Sequence, residues 1–351
     1  MTVPASIAAA FAQQAAFCRA SGSPLTALVC DAAMLAIDDT SATGRAIIAW
    51  PGAPFADALM MRFTGGANAL VRAGAAPALA ALYPPATLPE IGVLAAALRA
   101  VLADPGLDAQ LCGWLAGPPQ TNEVARSGVL MPGLMTIAAA TNQPLRLFEL
   151  GASAGLNLNL DRFGYALGGV AAGDAASPVQ LVPEWKGPPP PAAAVTIAAR
   201  RGVDINPLDV RDAATRARLM AYVWPDQPDR VARATAAMAV AQAFPPPVDC
   251  GDAADWVEAN VAPVPGTVAV VYHSIAFQYF PPGTKARIAA HMAGIGAATD
   301  ARAPVAWLRY EMDDATQAEL PTLRLTLWRG GPPAETLLAR VHPHGAFVKW
   351  Q

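Results

Sequence analysis

Leu145-Arg146-Leu147-Phe148-Glu149-Leu150-Gly151-Ala152-Ser153-Ala154-Gly155-Leu156-Asn157 is an apolar run that ends in small residues and then turns helical. The run has the length and composition of a buried strand. Gly151 and Gly155 let the backbone turn tightly and let a ligand come close. The helix start beyond them offers free N–H groups and a positive dipole end. A turn of this kind holds a nucleotide-like ligand or its anionic part.

Toward the C-terminus, short apolar runs alternate with helical stretches. The runs are 145–150, 195–199, 248–250, 267–272 and 304–310. This alternation predicts a parallel sheet with crossover helices. Residues 323–329 and 336–350, around Gly330-Gly331-Pro332-Pro333, predict a closing antiparallel pair. Two inserts interrupt the pattern. Residues 161–194, with Gly168-Gly169 and four prolines at 188–191, predict a hairpin and a stiff loop. Residues 211–244 predict two helices broken at Trp224-Pro225-Asp226-Gln227-Pro228.

Toward the N-terminus, apolar positions recur at three- and four-residue spacing in 4–20, 24–38, 55–73, 89–103 and 122–140. Ser23-Pro24 and Asp104-Pro105 place a cap before a proline at the first helical position. Thr87-x-x-Glu90 has the form of a capping box. The character changes at Thr141-Asn142-Gln143-Pro144. The expected organisation is an all-helical N-terminal domain or lid over 1–142, followed by an α/β domain over 143–351.

Composition removes several classes. Hydrophobic residues make up 54% and charged residues 15%, which excludes a disordered chain. A net charge of −3 gives no global pull toward nucleic acid or an anionic membrane. Cys18, Cys30, Cys112 and Cys250 lie far apart with no C-x-x-C, so no zinc ribbon or redox pair is expected. His342 and His344 lie two apart on an expected strand, but no third ligand accompanies them, and no metal is expected. No apolar run reaches the roughly 18–20 residues of a membrane span. The N-terminus lacks a basic region before its Ala-rich stretch, so no signal peptide is read. The expectation is a cytoplasmic protein with a small-molecule ligand and no nucleic-acid or membrane partner. Oligomeric state is not legible.

The motifs allow three readings of the glycine turn. Glu149-x-Gly151-x-Ser153-x-Gly155 is similar to the E/D-x-G-x-G-x-G turn of S-adenosylmethionine-dependent methyltransferases. Gly151-x-Ser153-x-Gly155 also matches the G-x-S-x-G elbow of α/β-hydrolases, with Asp252 or Asp300 and then His342 or His344 as triad partners. A hydrolase places strands before its elbow, whereas helices stand there in this chain. Glu149 would also be buried beside the nucleophile. The third reading is a structural turn.

The later motifs favour the first reading by their order. Asp204, in Arg201-Gly202-Val203-Asp204-Ile205-Asn206-Pro207, stands where an acidic residue accepts hydrogen bonds from ribose. Gly251-Asp252-Ala253 resembles the G-D-A that sets a carboxylate near adenine. His273-Ser274-Ile275 follows the fourth strand.

Across these segments, together with Gln120-Thr121-Asn122-Glu123-Val124-Ala125-Arg126 and 224–230, the chain resembles the bacterial family known as domain of unknown function 2332. The likeness covers nearly the whole length. It implies a family and no particular reaction.

The fold expectation is therefore a Rossmann-like, methyltransferase-type sheet, parallel and ending in an antiparallel pair, behind a helical domain. The methyltransferase resemblance implies S-adenosylmethionine as cofactor. Gly151, Ser153 and Gly155 would cradle it, and Glu149 would support the turn. Asp204 would hold ribose and Asp252 adenine. Ser153 stands where the methyltransferase turn has glycine. Asn122, Glu123, Arg126 and Asn157 would face an unknown acceptor in a cleft between the domains. Asp161 and His273 would orient the acceptor or take its proton.

Each candidate also has a structural reading. Glu123 and Arg126 suit a capped helix start, Asp161 an arginine partner, and His273 a core histidine. Two further functions stay open: a non-catalytic ligand-binding or regulatory protein on the same fold, and a serine hydrolase at Ser153.

Overall fold

The computed structural model describes residues 3–312 and 320–351. The chain forms two compact units: Met1–Thr121 with Asp212–Ala234, and Asn122–Arg211 with Thr235–Gln351.

The first unit is helical. It contains α1 (Ala5–Ala20), α2 (Pro24–Ala36), α3 (Ala42–Ile48), α4 (Leu59–Arg72), α5 (Pro77–Ala80), α6 (Ile91–Ala103) and α7 (Pro105–Leu115). After α8 (Ser127–Thr141), which belongs to the second unit, α9 (Ala213–Ala221) and the start of α10 (Pro228–Ala243) complete it. Asp104 caps α7 by accepting from the N–H groups of Gly106 and Leu107.

Two expected caps do not form. Glu90 is itself the N-cap of α6, with no side-chain bond to the helix, so the Thr87 capping box is absent. Ser23 instead donates from Oγ to Thr26 and Asp226. Asp226 also accepts the N–H of Leu25 at 2.7 Å, tying the second insert to the start of α2. Phe11, Phe63, Leu98 and Trp224 pack in this unit's core.

The second unit is built on one nine-stranded sheet in the order β5-β12-β11-β10-β9-β8-β1-β6-β7. Its strands are β1 (Leu145–Leu150), β2 (Gly164–Leu167), β3 (Val170–Gly173), β4 (Gln180–Leu181), β5 (Glu184–Lys186), β6 (Ile197–Asp204), β7 (Val248–Cys250), β8 (Val268–Ser274), β9 (Val305–Glu311), β10 (Thr322–Trp328), β11 (Ala334–Val341) and β12 (Phe347–Trp350), with β2, β3 and β4 forming a separate small sheet. β7, β6, β1, β8 and β9 run parallel. α11 (Ala253–Asn260) and α12 (Pro282–Ala297) serve the crossovers. The central parallel strands β1, β8 and β9 are mostly buried because both faces of such a sheet are covered, whereas β6 and β7 toward the edge are partly exposed. β8, for example, is buried at every position.

Three features depart from the sequence expectation. The expected antiparallel pair is a three-strand meander of β10, β11 and β12, because the 336–350 run breaks at 342–346. The 161–194 insert supplies β5, a parallel edge strand on β12. β6 runs on to Asp204, so this carboxylate ends the strand. The established class is mixed α/β, with a helical part and a large, mostly parallel sheet.

α8 packs with the sheet, where Gly133 lies against Leu308 so closely that a methyl group would meet its side chain at 2.7 Å. Among the described residues, the helical stretch Val124–Thr141 is long and apolar enough to cross a membrane, which no run was expected to be. It is 78% buried within the protein, and core packing accounts for its apolar character. All four cysteines are free thiols: Cys18 and Cys30 are buried, whereas Cys250 is exposed.

Candidate functional site

From β1 the chain steps to β6 and β7 on one side, then crosses to β8 and β9 on the other. The winding therefore reverses between β1 and β8. In open α/β sheets, ligands bind outside the carboxyl ends of strands at such a reversal. Glu149, Ser153, Asp204, His273, Ser274 and Glu311 all lie at or just past these ends.

The glycine turn is held from inside. Gly151 and Ala152 donate their N–H groups to the carbonyl of Val203, and Gly155 donates to Ala152. The N–H of Ser153 goes to Asp204 Oδ2 at 2.8 Å, and that of Leu156 to Asn122 Oδ1 at 2.9 Å. The helix expected beyond is a 3-10 turn, Leu156–Arg162, broken at Asn159. The N–H groups of Gly151, Ala152, Ser153, Gly155 and Leu156 thus already have acceptors inside the protein. Added methyl groups at Gly151 and Gly155 would meet Ala276 and Pro246, respectively, at 2.7 Å. The glycines therefore admit neighbouring side chains.

Ser153 adopts φ +53°, a left-handed conformation that costs a side chain about 1 kcal/mol. It is buried, and its Oγ has no hydrogen-bond partner among the described residues. A triad nucleophile bonds its histidine, and Ser153 has none. Asp252 caps α11 and accepts from Thr284 Oγ1 at 3.1 Å. Burial works to raise its carboxyl, but the N–H groups of Asp255 and Ala254, Thr284 and Arg287 together hold it below its ordinary value. Asp300 is paired with Arg302.

Glu149 is buried and lies 3.4 Å from the Tyr272 hydroxyl. Burial pushes its carboxyl up to about 8, against the Tyr272 hydrogen bond. The nearby charge of Asp204 adds to the rise, and Arg126 opposes it. At neutral pH this group carries a proton.

The expected substrate-facing residues do come together, as scaffold. Asn122 holds the start of the 3-10 turn, and Glu123 accepts the N–H of Ala125 at 3.1 Å. Arg126 donates to the carbonyls of Pro343 and Ser274 at 3.1 and 3.0 Å. Asn157 accepts from Ser127 Oγ at 2.7 Å. Asp161 forms a two-point pair with Arg200, both contacts at 2.6 Å.

His273 is fully buried. Its Nδ1 lies 2.7 Å from Glu311 Oε1, and Trp307 Nε1 donates to its Nε2 at 3.1 Å. Because Nε2 accepts, the proton sits on Nδ1. Phe277 stacks on the ring at 4.6 Å. His273 thus has no free lone pair for a substrate proton. Glu311, which the sequence offers only as a minor candidate of the same kind, partners this histidine. Its Oε1 also accepts the N–H groups of Ala276 and Phe277, while Oε2 is buried without a partner among the described residues. Its position after the fifth parallel strand was the available signal.

No group of three or more metal-ligating side chains occurs among the described residues. The class defined here is a mixed α/β protein with a strand-end site at a winding reversal. The chain belongs to the family described as "Uncharacterized protein conserved in bacteria (DUF2332)", whose model matches residues 8–350. No curated protein and no solved structure matches it.

Proposed function

We propose that the second unit is a Rossmann-like, methyltransferase-type domain that binds S-adenosylmethionine over the carboxyl ends of β1, β6 and β7. The observation that carries this reading is the end of β6. Asp204 is half-buried beside the glycine turn, and Ile205, the next residue, is 77% exposed. A carboxylate followed by a bare aliphatic side chain suits a nucleoside, with the one bonding ribose and the other packing a base. Each Asp204 oxygen accepts one backbone N–H and keeps a lone pair for a ribose hydroxyl. The fit stops at the turn: Gly151 and Gly155 face side chains, so Ser153 Oγ is the turn's ligand contact. Asp252 is committed to capping α11, its Oδ1 accepting two N–H groups and its Oδ2 the Thr284 hydroxyl, and is given no role here.

The cofactor supplies a methyl group on a sulfonium, and its transfer breaks that S–C bond and leaves a thioether. The chain's own share is orientation and exclusion of water. Neither Asp161 nor His273 is assigned as a base, because Arg200 and Trp307 engage them. That engagement favours a second reading, ligand binding without transfer. The unpartnered Ser153 Oγ gives the hydrolase reading the least support. A small-molecule acceptor and a cytoplasmic location go with the proposal.

The test is calorimetric titration of S-adenosylmethionine and S-adenosylhomocysteine into the intact chain, with Ile205→Asp as control. Ile205 is exposed, so the variant keeps the fold. Micromolar binding that the variant loses is the expected result. No saturable binding of either ligand at millimolar concentration refutes the reading. Binding without S-adenosylhomocysteine release across acceptor panels selects the second one.

A further inference from the structure

The Trp224-Pro225-Asp226-Gln227-Pro228 break has no part in the strand-end site. It borders a cavity wholly within the helical unit, of about 340 Å³ with its open mouth counted. The part of it that a small group can occupy is about 20 Å³. Apolar side chains, including Val29, Met61, Trp224 and Pro225, form much of the lining, and no charged side chain takes part.

Two polar side chains in the lining are incomplete. Asn68, on α4, is 3% exposed. Its Nδ2 donates to the carbonyls of Ala221 and Val223 at 2.9 and 3.1 Å. Those two acceptors fix the orientation of the amide, so the opposite atom is the oxygen. That Oδ1 has no partner among the described residues. Tyr222 is 4% exposed, and its hydroxyl also has no partner among them. The ring is held in place: it lies edge-on to Trp114 at 5.5 Å, and Gly65 leaves it room against α4. Burial raises the Tyr222 pKa, so its hydroxyl stays protonated.

Buried polar groups are nearly always hydrogen-bonded, and one acceptor and one hydroxyl left open in the same cavity point to a ligand. We propose that this cavity is a binding site for a small uncharged molecule with an amide-type N–H donor and an apolar body. The donor sits on Asn68 Oδ1, the ligand's carbonyl accepts from Tyr222, and the apolar body rests on Trp224 and Pro225 of the lining. Charged ligands are excluded, because no side chain in the lining would neutralise them.

Benzamide is the probe, titrated into the intact chain by calorimetry. A ligand of this size is expected to bind with about millimolar affinity. N,N-dimethylbenzamide, which has the same body and no N–H, should bind at least about tenfold more weakly. Tyr222→Phe removes one hydroxyl and keeps the ring, so it should fold like the parent and bind benzamide about five- to tenfold more weakly. A crystal structure of the benzamide-soaked protein should place the amide on Asn68. The proposal is overturned if benzamide does not saturate, or if the dimethyl compound or Tyr222→Phe matches the parent pair. Ordered waters that stay on both groups in the soaked crystal overturn it as well.

Discussion

Glu149→Gln tests how the end of the central strand is built. Glu149 is 2% exposed. Burial pushes its carboxyl from an ordinary 4.5 up to about 8, against the Tyr272 hydrogen bond. Between those two values the folded chain binds a proton that the unfolded chain has released. Stability from this group is therefore full below about 4.5 and is lost as pH rises through about 8. At 1.36 kcal/mol for each pH unit, the whole span is worth about 4–5 kcal/mol. Glutamine keeps the shape and still accepts from Tyr272, but it does not titrate. Urea unfolding at about pH 5 and about pH 9 should show the parent losing about 4 kcal/mol more than the variant, with the variant the more stable at the upper pH. Other ionisable groups cancel in this difference. Parallel profiles for the two proteins would refute the argument: Glu149 would then be ionised in the fold, and could not act as a hydrogen-bond donor at neutral pH.

Three further outcomes follow from the site. Gly155→Ala forces a side chain into φ +68° and against Pro246 and Val248, whereas Gly169→Ala, at φ +90°, meets nothing within 4 Å. The first should cost about 2–5 kcal/mol and the second about 1–2, so equal drops in melting temperature would contradict the packing described for the turn. A double-mutant cycle on Asp161→Asn and Arg200→Met should give a coupling of about 1–3 kcal/mol in stability, and additive effects would remove the structural role given to Asp161. Ser153→Gly relieves a left-handed side chain and a buried unpartnered hydroxyl, so it should stabilise the chain by about 1–2 kcal/mol while weakening S-adenosylmethionine; denaturant midpoints and calorimetry read the two effects, and a loss of stability would mean that Ser153 has a structural partner.

The strands were legible where apolar runs were short and bounded, as at β1, β7 and β8. At β8, burial on both faces leaves a continuous apolar run with polar residues only at its end. The C-terminal meander was half legible, because nothing in 342–346 announces a turn as strongly as Gly330-Gly331 does. Helix α3 lay outside the expected stretches, since it has seven residues, and for α7 only the start at Asp104-Pro105 was legible, since Gly106 and Gly113 break its apolar pattern. At the site, residue types were legible and partners were not. Asp161 and Arg200 are 39 positions apart and pair only because the fold brings β6 beside the 3-10 turn. Spacing in sequence could place Asn157 and Asp161 on one helix face, but the segment is a broken 3-10 turn and the two side chains find separate partners.

Polar accounting is what narrows the strand-end site. A side chain that already bonds inside the protein is held by that bond and offers a ligand only the donors and lone pairs it has left, and losing the bond costs about 1 kcal/mol or more. Asn122, Arg126, Asn157, Asp161, Asp252 and His273 are all in that position. Ser153 Oγ and Glu311 Oε2 are in the opposite one: buried, polar and without partners among the described residues. Leaving them so is unfavourable, and at position 153 a glycine would relieve both the conformation and the unmet hydroxyl. A ligand that bonds these two atoms recovers stabilisation that the protein alone does not have. The two atoms lie past β1 and β9, on either side of β8. With strands about 4.8 Å apart, those ends are separated by about 10 Å, so Glu311 lies on the far side of β8 from the ends of β1, β6 and β7. The residues that chemistry would first nominate as catalytic therefore hold the frame of the strand ends.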